Sequence, residues 1–496
     1  MRRREVLRAG TLAAGGLFAG VERTAAEAAT GRSGPPPDRL PRLLEPDDPT
    51  AVFGLAARGR GEGVIELTMA APTSDWERQT ATSVTVEVAI DDCPAQQMVL
   101  FEGDELHTYR GFLGRLEPGR HEVTVRLRAD LAEPATHPNP VAHVESVELA
   151  LYPRRHPQHD AVAHAPVIYG REANTHSDVP LVSYYTTRPT DTGTRYRYTM
   201  VYSNEDGGGG VVPAYIMGGW GRATDIDWTA AVTVEDGTIQ PAETTYHACG
   251  HPLVSSEQTC LAHETGSFDG EYVDGHPVLR MASANGPLAD DGEETPLRFQ
   301  LPALGARPRP GHTREDVMDR QPFTYRVMDK ELKRENAAGT TAPAPVFTYG
   351  DARQYVYAEV AGTVEHGSVA FDVSFVDDPA FYASDYTGTG PEGPVPPAKF
   401  PFYTGGLGRT VIKAPRDADE RALDAVRLRL GPAENPARNG GQPWNPAAAA
   451  ATIESLRLFT LDEAYRPTDR FTLDAPVDLD AGSRSETRPA GSTADP

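Results

Sequence analysis

Cysteine is scarce in this chain: Cys93, Cys249 and Cys260 are the only three in 496 residues. So few exclude a disulfide-dense scaffold and a four-cysteine zinc site. Lysine is scarcer than the length would suggest, appearing only at Lys330, Lys333, Lys399 and Lys413. Acidic residues outnumber basic ones 71 to 47, for a formal net charge of −24. A surface of that sign repels phosphate backbones, which argues against nucleic acid as a partner. No apolar run approaches the roughly 20 residues that a membrane-spanning helix needs. Linear catalytic signatures are missing too. There is no Gly-x-Ser-x-Gly elbow, no His-Glu-x-x-His and no Cys-x-x-Cys. The glycines of NEDGGGG (204–210) lack the lysine of a phosphate loop. Serine hydrolase, zincin and kinase readings therefore lose their usual support.

What is present begins with an address. MRRREVLRAG, then AGTLAAGGLFAGV and an Ala26-Glu27-Ala28 small-x-small site, has the three-part layout of a cleaved export signal over residues 1–28. The arginine pair resembles the twin-arginine export motif, with Val6 where an aromatic is common. That resemblance implies the twin-arginine machinery as a partner during export and a secreted, extracellular or cell-wall-associated protein. Residues 29–49 are Pro-rich and charged, the composition of a linker.

From residue 50 the pattern is that of strands. In HEVTVRLRAD, Val123, Val125 and Leu127 share one face while Thr124, Arg126 and Arg128 point to water, the mark of a half-buried antiparallel strand. Five such runs over 50–153 predict a β-sandwich accessory domain. A join at 153–166 precedes a larger β-rich region, 160–475, expected to be an antiparallel sandwich or jelly-roll-like domain. One short helical insertion is expected within 313–335, with Thr313 and Asp316 as a capping box and Pro322 as an interruption. The residues from 478 to 496 read as a disordered tail. The fold class expected is all-β.

Chemistry-bearing side chains concentrate between 164 and 294. GRATDIDW (221–228) puts Asp225 and Asp227 on what reads as one strand face, about 6.6 Å apart at Cα, with Ile226 and Trp228 on the other as core anchors. Carboxyl groups about 5–9.5 Å apart are those of glycoside hydrolases. The candidate catalytic residues are Asp225 and Asp227 with Glu205, Asp178 and His176, the last a general base held by a carboxylate. Arg222, Trp220, Asn174, His276 and Asn285 are candidate substrate contacts, and outward-facing aromatics offer platforms for sugar rings. Glu205 and Asp206, at the SNEDGG turn, are candidate calcium ligands, although no cofactor is required. Cys249 and Cys260 bracket a short loop suited to a disulfide, leaving Cys93 spare. His247, His251 and His263 with those cysteines superficially suggest zinc, but their spacing matches no standard site and a disulfide would consume both sulfurs. The function expected is a secreted carbohydrate-active enzyme, a glycoside hydrolase acting on a polysaccharide or cell-wall glycan. A polysaccharide lyase and a non-catalytic glycan-binding surface protein are the alternatives.

Overall fold

The computed structural model describes residues 22–25, 38–78, 81–132, 139–205, 217, 220–252, 260–282, 286–292, 294–337, 351–384, 389–390, 393–394, 406–414, 417–432 and 444–488. They form a nearly all-β protein of several antiparallel sheets, as the alternation predicts. The chain divides into two compact units. One comprises residues 1–76, 80–201 and 227–305; the other comprises 77–79, 202–226 and 306–496. The expected boundary at 153–160 is not where the units part.

In the first unit, Gly61–Ala70, His107–Leu116 and Ala142–Tyr152 form one sheet and Thr50–Ala57, Val84–Ile90, Cys93–Leu100 and Gly119–Leu127 another. Val123, Val125 and Leu127 are buried and Arg126 is exposed, so sequence alternation becomes a core face and a wet face. Glu22–Ala25, inside the stretch read as an export signal, pairs antiparallel with residues 148–151. A further sheet of eleven strands runs through Val167–Gly170, Thr194–Tyr202, Ile226–Glu235, Thr245–Pro252 and Leu297–Phe299. Asp236 and Gly237 both take positive φ, 51° and 77°, which turns the chain back so that Thr238–Ile239 pairs with Val234 and Glu235. The two halves of this unit are tied together. The Arg298 backbone N–H donates to Gln97 Oε1 at 2.7 Å, the Phe112 N–H donates to the Gln300 carbonyl at 3.0 Å, and Val64, Phe112, Tyr152, Val162 and Leu304 share one apolar cluster. This is why composition misplaced the boundary: a Pro- and His-rich segment can cross within a single core.

The second unit is a sandwich. Tyr355–Glu365, between Gly406–Lys413 and Ala450–Leu461, faces Ser368–Phe375 and Leu423–Gly431 across a core of Val356, Val360, Phe371, Val373, Ile453 and Leu458. The expected helical insertion is present as Asp316–Asp319 and Phe323–Ala337, separated at Pro322. Val327 and Leu332 are fully buried. The expected capping box does not form: the Thr313 hydroxyl donates to Glu359 Oε2 at 3.1 Å, and Asp316 accepts from Arg309 and Arg320. Among the described residues no helix is long and apolar enough to cross a membrane.

Candidate functional site

The GRATDIDW stretch lies at the point where one unit gives way to the other, and its two aspartates take different partners. Asp225 is 3% exposed, and its Oδ1 lies 4.0 Å from Arg222 Nη1 within the second unit. Asp227, in the first unit, faces two imidazoles: its Oδ2 is 3.7 Å from His247 Nδ1 and 3.5 Å from His263 Nδ1. Ile226 is fully buried, as expected of a core anchor. Trp228 is not a core residue. It is half-buried, its ring 5.3 Å from that of His247, with the Arg197 guanidinium 4.8 Å from the indole centroid. Strand alternation would send Asp227 and Trp228 to opposite faces. The ladder between Ile226–Glu235 and Thr245–Pro252 is confined to Ala230↔Tyr246 and Ala231↔Thr245. Asp227 and Trp228, consecutive in the strand, both nevertheless lie by His247.

Around Arg222 the second unit builds a buried ionic network. Arg222 has no solvent exposure; its Nε donates to Glu315 Oε1 at 3.0 Å and its Nη1 donates to the Thr224 carbonyl. Burial pushes the Glu315 carboxyl up, but Arg222, Arg314 and Arg409 together hold it below the usual carboxylate value. Trp220 stacks on this arginine, with the guanidinium 5.3 Å from the indole centroid. At 43% exposure, Trp220 is the one exposed tryptophan, tyrosine or phenylalanine among the described residues. Deeper in the same unit, Arg409 donates to Asp319 (2.9 and 3.0 Å), Glu359 (2.7 Å) and the Tyr325 oxygen (2.8 Å).

The histidine cluster is built by three strands. Cys249 on Thr245–Pro252 is directly opposite His263 on Cys260–Ser267. His247 lies two residues before Cys249, so His247 and His263 are diagonal neighbours on one face, with ring centroids 4.7 Å apart. One donor atom from each of Asp227, His247 and His263 lies within 4.8 Å of the others. Cys249 is disulfide-bonded and Cys93 is free and exposed, in line with the sequence; the Cys260 side chain lies outside the described residues.

The remaining candidates are dispersed. Asn174 is buried and spends both ends of its amide inside its own turn, accepting from the Arg171 N–H (2.5 Å) and donating to the Ser177 carbonyl (2.9 Å). His176 Nδ1 lies 3.3 Å from Thr175 Oγ1, and Asp178 is buried at a left-handed φ of 49°. His276 is a core residue, not a surface contact: it is 2% exposed, its Nδ1–H donates to the Ala165 carbonyl at 2.7 Å, and its ring packs against Phe112. Burial pushes its pKa down to about 4. The Glu205 N–H donates to the Ala223 carbonyl. Asp206 and Asn285 lie outside the described residues.

No protein-family profile and no curated protein matches the chain. Solved structures with a similar local fold include a CBM36 carbohydrate-binding module in complex with calcium and xylotriose (12% identity, 26% of this chain and 98% of that one, TM-score 0.18). The CBM36-1 domain of a multidomain xylanase from the hindgut metagenome of Trinervitermes trinervoides is similar over 26% of this chain and 95% of its own length, at 10% identity and TM-score 0.18. The Agl-KA catalytic domain covers 27% of this chain and 28% of itself, at 12% identity and TM-score 0.19. At these scores the likeness carries no argument about function.

Proposed function

We propose that the protein is an exported, carbohydrate-active β-protein that holds an extracellular glycan against Trp220. The observation that carries this reading is an exposed indole stacked on a fully buried arginine that is itself fixed by Glu315. Sugar rings stack their C–H faces on aromatic rings, and an indole held in place before binding loses little conformational entropy on contact. Binding stands ahead of hydrolysis in this reading. A glycoside hydrolase acting through the Asp225 and Asp227 pair needs one carboxyl free to act as acid and the other as nucleophile or base. Asp225 is instead buried beside Arg222, and the Asp227 carboxylate faces two imidazoles.

The test is incubation of the purified protein with immobilised neutral and acidic polysaccharides, with reducing ends and unsaturated products followed in parallel. The expected result is retention on at least one polymer, weakened about tenfold or more in Trp220→Ala. Product formation lost in Asp227→Asn would move the reading to the hydrolase or the lyase, according to which product appears. Retention unaffected by Trp220→Ala would refute the platform.

A further inference from the structure

We infer that Asp227, His247 and His263 form a binding site for a single zinc-type divalent cation in the first unit. The three donors, brought from three strands, face a shared centre. The two carboxylate–imidazole separations, 3.7 and 3.5 Å, exceed hydrogen-bonding length. With all three donors within 4.8 Å of one another, a common point lies no more than about 2.8 Å from each, against the roughly 2.0–2.2 Å of zinc–nitrogen and zinc–carboxylate bonds. Side-chain movements of less than about 1 Å close the difference.

The donor chemistry selects the ion. Two imidazole nitrogens and one carboxylate oxygen suit zinc and its first-row neighbours, whereas calcium and magnesium take all-oxygen shells. The arrangement grades from buried to open. The His247 side chain is 4% exposed, Asp227 16% and His263 36%. Three protein ligands with one flank open to solvent leave a coordination position for water or a ligand oxygen, the pattern of sites that act on a bound molecule. Trp228 and the Arg197 guanidinium on its ring fix the His247 side. The His263 side is fixed by the hairpin, in which disulfide-bonded Cys249 is the cross-strand neighbour. The net charge of −24 raises the local concentration of any cation.

The inference stands apart from the glycan reading, because it uses none of Trp220, Arg222 or Glu315. Its test is titration of the chelator-treated, dialysed full chain with Zn²⁺ by calorimetry and with Co²⁺ by visible absorption. The expected result is one equivalent bound, with cobalt d–d bands displaced by Zn²⁺ and untouched by excess Ca²⁺. His263→Ala changes an exposed side chain and Asp227→Asn is nearly isosteric; each is expected to weaken binding at least tenfold while the far-ultraviolet circular dichroism stays unchanged. Absence of stoichiometric uptake, uptake of several weak equivalents, or full uptake by both variants would overturn the site. Metal uptake without glycan retention would leave this site standing and remove the platform, and the reverse result would do the opposite.

Discussion

Replacing Arg409 with methionine tests the reasoning about the buried network most severely. The methionine fills much of the same volume but removes four charge-assisted hydrogen bonds, two to Asp319, one to Glu359 and one to the Tyr325 oxygen. Both carboxylates would keep partial relief: Asp319 accepts from Arg457 at 3.1 Å and from the Tyr325 hydroxyl at 2.6 Å, and Glu359 contacts His312 at 2.8 Å. Removing one member of a buried charge pair costs about 3–5 kcal/mol, since the other charge stays desolvated. The remaining partners argue for the lower end. At about 2–4 °C per kcal/mol for a domain of 150–250 residues, the thermal transition of the second unit should fall by about 6–15 °C. Calorimetry resolves this if the first unit's transition stays in place.

The same substitution should alter acid stability. Burial raises the Asp319 carboxyl, but Arg409, Tyr325 and Arg457 outweigh it and hold the pKa below the ordinary value. A depressed carboxylate contributes stability that is present above its unfolded pKa of about 3.9 and is lost as pH falls through the folded value. Arg409→Met should shift that loss to higher pH. A Tm change below about 2 °C, with an unchanged acid transition, would refute the argument that this network is desolvated and mutually supporting.

Three further outcomes follow from the structure. His276, pushed down to about 4 by burial, differs from its unfolded value near 6.5 by about 3 kcal/mol in free energy; the first unit should be fully stable above pH 6.5 and lose about that much towards pH 4, with the slope flattened in His276→Gln, as equilibrium urea unfolding would record. Gly221 sits at φ 66° with a would-be Cβ only 2.7 Å from Arg409 Cγ, so Gly221→Ala should destabilise the second unit by about 1–3 kcal/mol, measured the same way. Thiol titration of the unfolded, unreduced chain should find one reactive group, assigned to Cys93, and three after reduction.

Strand class was legible because alternation is a local signal: Val123, Val125 and Leu127 announce a core face without reference to any other segment. The organisation of units was not. Residues 202–226 belong with 306–496 although they are flanked in sequence by strands of the first unit, and no composition shift marks such a crossing. The site was half legible. The stretch containing His247 and His263 stood out, but a linear reading sought ligands by spacing along one segment, whereas Asp227 arrives from another strand. Asp225 precedes the strand, which begins at Ile226, and its carboxylate lies by Arg222 whereas that of Asp227 lies by His247 and His263. His276 looked like a surface contact only because a polar residue in a turn-rich sequence gives no sign that its ring is enclosed against Phe112.

The measurement that tests the central functional claim most directly is the affinity of the full chain for a retained polysaccharide, compared between the unaltered protein and Trp220→Ala at matched thermal stability. The account predicts retention of the unaltered protein and a loss of about tenfold or more in the variant, the cost of one stacked ring at about 1.4 kcal/mol per decade. Equal retention of both, or no retention of either on any polymer, would contradict it.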